Sequence, residues 1–599
     1  MSQKTQDFLI VTTALQSTWG NETPTIFLGE WCKKLSTRNL WSEPEFKTLP
    51  YHWADRKKLN EDHDYLENIN ESVLEHLTDL LNKAHKINLP KRSWRIIIGP
   101  WLYSFISVIW DRWETISLLN KMYIEGSSNT FATKVFQTDA LDITPDDFNQ
   151  FRELLDSDWW NHIVFTKIFE FRQDIQDINI NIREIEGNLE KTQSFNNDPR
   201  ASLSLFHKLF SFAANTLDFF IEKISSRSQD YVIFHSYFPR TFLLKLYFQL
   251  GIFPRWHKPF KTVKTHTFVA QRNNLKDWNI NPSNDFEIFL QELLPYSLPK
   301  YYLEGFDSLV ETQKSLPDAR VIFTSNAYIY NETFKIWSAF QVLKKSKLII
   351  SSHGGALDPL LNTFNHEEKI ADTRVVWGQT WHENQIRLPP NKLHYKIKKY
   401  KQNGQISLVD YEASRYGDRC SSSPRGPLVL DVINSNIAFL KSLEKHGLIS
   451  DIKIRSKGLG LWESKKRFEE SFGKNILCKE RYQVNTIKNS RLVICTYPQT
   501  TFAESMYSGV PTMLFYDESF WEVQPIYSSL IDVLEKANII FTNQDDAVKH
   551  VLQIQDDPMD WWRSDQVKAA REDFNNICLT LDTKPVLRWK NFFQSLLDD

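Results

Sequence analysis

Apolar and polar positions along this chain change period several times, and each change marks an element. Residues 8–14 (FLIVTTA) and 25–28 are short apolar runs joined by a polar loop. Across 55–90, Leu66, Ile69, Val73, Leu77 and Leu81 recur at three- and four-residue spacing, which predicts a helix. The run 96–110 (IIIGPWLYSFISVIW) lies between Arg95 and Asp111 and contains Gly99-Pro100. It reads as a strand followed by a buried helix, and is too short and too broken for a membrane span. The polar, Asn-rich stretch 170–200 reads as an insertion or an exposed helix pair. Residues 230–236 (DYVIFHS) read as a strand and 241–250 as a helix.

Strand–helix alternation then becomes regular. Strands are expected at 320–324 (RVIFT), 347–351 (KLIIS) and 374–377, with a helix at 331–343. At 384–404, Pro389-Pro390 and the basic run KLHYKIKKYKQNGQ interrupt the pattern, as a domain junction or a solvated face would. A second block follows, with strands at 427–431, 451–455, 476–478, 491–496 and 512–516, and helices at 433–444 and 501–508. Such alternation implies parallel sheets. The expected fold is therefore α/β, with two Rossmann-type domains facing each other across a cleft and extra N-terminal helices. Residues 1–395 would form the N-terminal, acceptor-side domain with helical insertions, and 405–575 the C-terminal nucleotide-sugar domain. Residues 576–599, within a helical, Trp-rich tail, would pack back on the first domain.

Bulk properties agree with this picture. A chain of 599 residues exceeds one ordinary core, and 41% hydrophobic with 24% charged residues is normal globular composition. The 72 basic residues nearly balance 74 acidic ones, which argues against a bulk nucleic-acid binder. Aromatic residues reach 14%, as core packing or as stacking platforms. Cys32, Cys420, Cys478, Cys495 and Cys578 form no CxxC pair, which fits a reducing compartment. The opening MSQKTQDFLIVTTAL lacks a signal peptide's apolar segment, so the expectation is cytoplasmic, at the inner face of the membrane if the acceptor is lipid-linked.

The most informative stretch is 490–517, SRLVICTYPQTTFAESMYSGVPTMLFYD. An apolar strand delivers the chain to a cluster of hydroxyl and amide side chains: Thr496, Tyr497, Gln499, Thr500 and Thr501. A helix starts at once, and its free N–H groups favour a phosphate. Glu504 stands three residues after Thr501, within reach of ribose hydroxyls. Thr501 and Glu504 alone also fit a capping box.

This stretch resembles the nucleotide-binding half of GT-B glycosyltransferases, through Thr500, Thr501, Glu504, Gly509 and Pro511. The resemblance implies that the threonines hold donor phosphates and Glu504 the nucleoside sugar. More widely, FLIVTTALQSTW, IFLGEWC, LPYHWADRKKL, WRIIIGPWL and DRWE resemble a bacterial family of O-antigen (surface-polysaccharide) transferases.

Other candidates lie elsewhere. His353-Gly354-Gly355 follows a strand, where glycines admit a ligand to the backbone and His353 can act as base or phosphate-binding cation; a His-Gly pair after a strand also resembles polyol-phosphate transferases. Arg455 and Lys457 end another strand and suit a diphosphate or carboxylate. Arg415 and Arg419 are weaker loop candidates. His52, Trp53, Asp55 and Arg56 form one N-terminal cluster and Asp111, Arg112 and Glu114 another, each a source of an acceptor-activating base or of buried ion pairs. Asp62-His63-Asp64 and Asp156-Ser157-Asp158 read as chance, so no metal or other cofactor is expected.

The function expected is sugar transfer from a nucleotide-activated donor, a CMP-linked acidic sugar among the options, to a surface glycan such as O-antigen or capsule, or to a glycosylated protein. A CDP-polyol phosphotransferase, a sugar-nucleotide 2-epimerase and a non-enzymatic glycan-binding assembly factor are the rivals.

Overall fold

The computed structural model describes residues 6–598 apart from 21–23, 43–45, 188, 190–227, 253–271, 274, 276–278, 315, 394–396, 398 and 459. Among the described residues, fifteen strands form three five-stranded sheets, and every strand pair in them is parallel. The first sheet contains β1 (Asp7–Val11), β2 (Thr25–Phe27), β3 (Lys47–Thr48), β4 (Thr130–Phe136) and β5 (Asn181–Ile185), in the order β3-β2-β1-β4-β5. The second contains β6 (Ser228–Phe234), β7 (Asp318–Thr324), β8 (Lys347–Ser351), β9 (Thr373–Val376) and β10 (Gln385–Arg387), laid side by side in chain order. The third contains β11 (Gln405–Val409), β12 (Ile452–Arg455), β13 (Ser490–Cys495), β14 (Thr512–Phe515) and β15 (Ile540–Phe541), in the order β12-β11-β13-β14-β15.

These orders decide where ligands can bind. A crevice opens at the carboxyl edge where the winding direction reverses. In the third sheet that reversal falls between β11 and β13, so the segment after β13 stands at it. In the first sheet it falls between β1 and β4. The second sheet winds one way and has no reversal.

Residues 1–395, read as one Rossmann-like unit, thus carry two sheets. They share one core: Ile10 and Phe27 of the first sheet, Ile322 and Ile350 of the second, and the buried helix Lys91–Leu119 belong to a single apolar cluster. The other face of the second sheet is covered by the helices Arg240–Leu250 and Pro585–Asp598, with Trp589 and Phe593 against Phe323. The third sheet has its own cluster on each face.

Four local expectations change. Residues 96–110 are not strand then helix; one helix runs through Gly99-Pro100. It is buried all round, which removes the amphipathic signal, and a Cβ on Gly99 would lie 2.4 Å from His366 Cε1. The expected strand 427–431 is the start of the helix Leu428–Glu444, because a short apolar run fits either element. Residues 476–478 supply only a single bridge, Leu477 to Ile454. In 170–200, the helix Asp158–Asp174 ends, residues 181–185 form the edge strand β5, and 188 and 190–200 lie outside the described residues. No helix among the described residues is long and apolar enough to cross a membrane.

Candidate functional site

The loop after β8 and the loop after β13 meet. The Gly355 N–H donates to Thr500 Oγ1 at 3.3 Å, and the Leu357 N–H donates to the Pro498 carbonyl at 3.1 Å. A Cβ on Gly354 would fall 2.1 Å from Thr500 Oγ1, so the glycine leaves room for the Thr500 side chain to pack on this loop. Asp358 continues the contact: its carbonyl accepts from the Gln524 N–H at 2.9 Å and its carboxylate from the Tyr527 hydroxyl at 2.7 Å. The second and third sheets therefore face each other at the reversal point of the third.

The helix Thr500–Ser508 starts there with Gln499 at its N-cap and no side-chain cap. Thr501 instead shares a 2.7 Å hydrogen bond with the Tyr497 hydroxyl. The capping-box reading of Thr501 with Glu504 is thus not what forms, and the first-turn N–H groups keep their capacity for an anion. Thr496 Oγ1 donates to the Val409 carbonyl at 2.8 Å and ties the loop to β11. Tyr497 stacks on Trp521 at 6.0 Å, and Tyr411 packs edge-on against Trp521. Glu504 is buried and already paired with Lys392 Nζ at 2.8 Å.

His353 keeps an exposed edge but stacks on Tyr237 at 5.8 Å and is crowded on its other sides. Burial, then Arg374, lowers its pKa, while Glu367 opposes. The neutral imidazole is favoured, which suits a base better than a phosphate-binding cation.

Beside this junction lies a cavity of about 260 Å³. Its walls come from the loop 352–363, from Arg374 on β9, from Arg419, Ser421, Ser423 and Arg425 in the loop after β11, and from Gln499. Arg419 binds Asp418 at 3.0 Å, and Arg425 approaches the same carboxylate only to 3.6 Å. Burial pushes Asp418 up, but Arg419 and Arg425 outweigh it and hold its pKa down, at about 2.

The remaining candidates sit apart from this cavity. Arg455 is buried and holds a neighbouring loop, donating to the Glu480 carbonyl at 2.9 Å and Thr486 Oγ1 at 3.0 Å. Lys457 is exposed beyond β12. Asp111 is fully buried, bonded to His52 Nε2 at 3.1 Å and to Arg112, and Gly417 seals it so closely that a Cβ there would lie 2.8 Å from Asp111 Oδ1. Glu114 is paired with Lys58 at 2.7 Å. Arg415 clamps Asp158, and its N–H bonds Asp156 at 2.9 Å, docking the loop after β11 onto the first-sheet unit. Arg56, expected in the His52 cluster, pairs with Glu522 of the third-sheet unit. Arg374, Arg425, Ser423 and Lys392 were not legible as site residues. Each is an ordinary polar residue in sequence, and only the folded chain gathers them.

A family model described as LIC12162 family transferase matches residues 8–593. No curated protein matches the chain. Among solved structures, a mutant O-GlcNAc transferase of Thermobaculum terrenum is similar at 12% identity, covering 84% of this chain and 92% of that one, with a TM-score of 0.24.

Proposed function

Because the chain belongs to the LIC12162 family of transferases, we propose that it transfers a sugar from a nucleotide-activated donor in the manner of metal-independent GT-B enzymes. The acceptor would be a surface glycan, its lipid-linked precursor or a glycosylated protein. The observation that carries this reading is the contact of Gly354-Gly355 with Thr500 at the reversal point of the third sheet. It joins an uncapped helix N-terminus, a hydroxyl cluster and a neutral histidine in one place.

In this reading the donor phosphates lie at the N-terminus of the helix Thr500–Ser508, against Thr500 and the Gly354-Gly355 backbone. Glu504, oriented by Lys392, borders the nucleoside. His353 takes the acceptor hydroxyl proton. Arg455 and Lys457 flank the approach rather than bind the phosphates directly. Asp111 and Glu114 serve the fold of the acceptor side.

Nucleotide release from a panel of UDP-, GDP-, CDP- and CMP-linked donors tests this. Hydrolysis or transfer is expected with at least one sugar donor, falling on the order of 10²–10⁴-fold in His353→Ala at unchanged melting temperature. Release of CMP with a phosphodiester product would replace the reading by polyol-phosphate transfer, and the absence of release from every donor would end it.

A further inference from the structure

The cavity beside the junction is electrically two-ended. At one end Arg419 and Arg425 share the single carboxylate of Asp418, so two cations face one anion there. The Arg425 guanidinium makes no hydrogen bond among the described residues; its Nε is buried without a partner and stands 3.6 Å from Asp418. Ser423 and Gln499 complete this end, bonded to each other at 3.5 Å. At the other end one arginine, Arg374, faces Glu368 at 3.7 Å with Glu367 and Asp358 close by. Glu367 accepts from Tyr328 at 2.6 Å and Thr363 at 3.1 Å, and Glu368 from Gln385 at 2.9 Å. These carboxylates retain lone pairs for further donors.

Three features restrict the occupant. A diphosphate filling the cavity would place several negative charges against three carboxylates, which like-charge repulsion opposes. A guanidinium with free donors reads one carboxylate as a fork. The volume of about 260 Å³ is below the ~300–1,000 Å³ of pockets that hold drug-sized ligands, so it suits one ring and not a whole nucleotide sugar.

We propose that this cavity takes a monosaccharide-sized polyol bearing a single carboxylate, with the acid group on Arg419 and Arg425 and the ring hydroxyls on Glu367 and Glu368. This rests on the sugar-transfer reading and names its substrate class. The acidic ring belongs either to the activated donor or to the end of the acceptor.

Saturation-transfer NMR on the full chain separates these outcomes. The probes are the methyl glycosides of N-acetylneuraminate and of glucuronate, each as free acid and as methyl ester. At least one acid is expected to bind, its ester at least tenfold more weakly. Arg419→Gln and Arg425→Gln should each weaken the acid at least tenfold while leaving the thermal shift caused by nucleotides unchanged. Displacement of the bound acid by a CMP-linked acidic sugar but not by CMP assigns the ring to the donor; simultaneous binding assigns it to the acceptor. Acid and ester binding alike, no binding of either acid, or unchanged acid affinity in both variants would overturn the proposal. Nucleotide binding without acid binding would sink this inference alone, whereas loss of both would sink the transfer reading as well.

Discussion

Two ionic clusters in this protein are built from similar parts and end in opposite states. Around Asp111, each guanidinium nitrogen of Arg112 donates: Nε at 3.0 Å and one terminal nitrogen at 2.8 Å to Asn161, the other to Asp111 and to the Gly417 carbonyl. Around Asp418, two arginines share one carboxylate and Arg425 has no hydrogen bond among the described residues. The first joins distant parts of the chain, while the second is built within one loop. The first is sealed and every Arg112 nitrogen in it has an acceptor, as a structural ion pair needs, while His52 Nδ1 is left buried without a partner. The second lines a cavity and keeps donors in reserve, as a binding site must.

Removing the sealed cluster should have the largest effect. Arg112→Ala leaves Asp111 buried without its cation and is expected to cost about 3–5 kcal/mol, read by urea denaturation. A loss below about 1 kcal/mol would show that Asp111 is not held as described.

Asp410 stands between the two cases. It is buried at the end of β11, with Oδ1 bonded to Asn436 at 3.0 Å and Oδ2 unpartnered. Burial, against the pull of Asn436 and Ser456, raises its pKa from 3.8 to about 7. The folded state therefore holds this proton more tightly than the unfolded state. Its contribution is fully present below about pH 4 and is lost as pH rises through about 7. Asp410→Asn should remove that decline, a difference on the order of a few kcal/mol at pH 8; parallel stability–pH curves for the two proteins would refute it.

Gly354→Ala should separate function from folding. Its Cβ meets Thr500 Oγ1, so the two loops must part. Transfer is expected to fall on the order of 10²-fold, because small misplacements at a reacting centre cost that much, with little change in melting temperature. Retained activity would remove the junction from the site.

The smallest stability effect is expected for Arg425→Gln, within about 0.5 kcal/mol, since only its long 3.6 Å ion pair with Asp418 is lost and no hydrogen bond is broken. A loss approaching that of Arg112→Ala would erase the contrast between the clusters.

The contrast also explains what the sequence could reveal. Buried parallel strands read as apolar runs, so β8 falls at its expected bounds and β13 within one residue of them, and the loops that follow them stand out. The strand β11 was hidden because it follows a basic run and carries Gln405 and Ser407 among its five residues. The helix Lys91–Leu119 was misread because burial on every side leaves no polar face. The hydroxyl cluster at 496–501 is local and visible. The cavity is not: Arg374, Arg425 and Gln499 are brought together by the packing of two sheets, and no spacing along the chain records that. Nor does the chain announce that Glu504 already has Lys392 as a partner.

The central claim is that the donor binds where Gly354-Gly355 meets Thr500. Melting temperature with a panel of nucleotide sugars, for the native chain and Gly354→Ala side by side, tests it most directly. At least one nucleotide sugar is expected to raise the melting temperature of the native chain and to leave that of the variant unchanged. No rise with any of them, or an equal rise in both proteins, would contradict it.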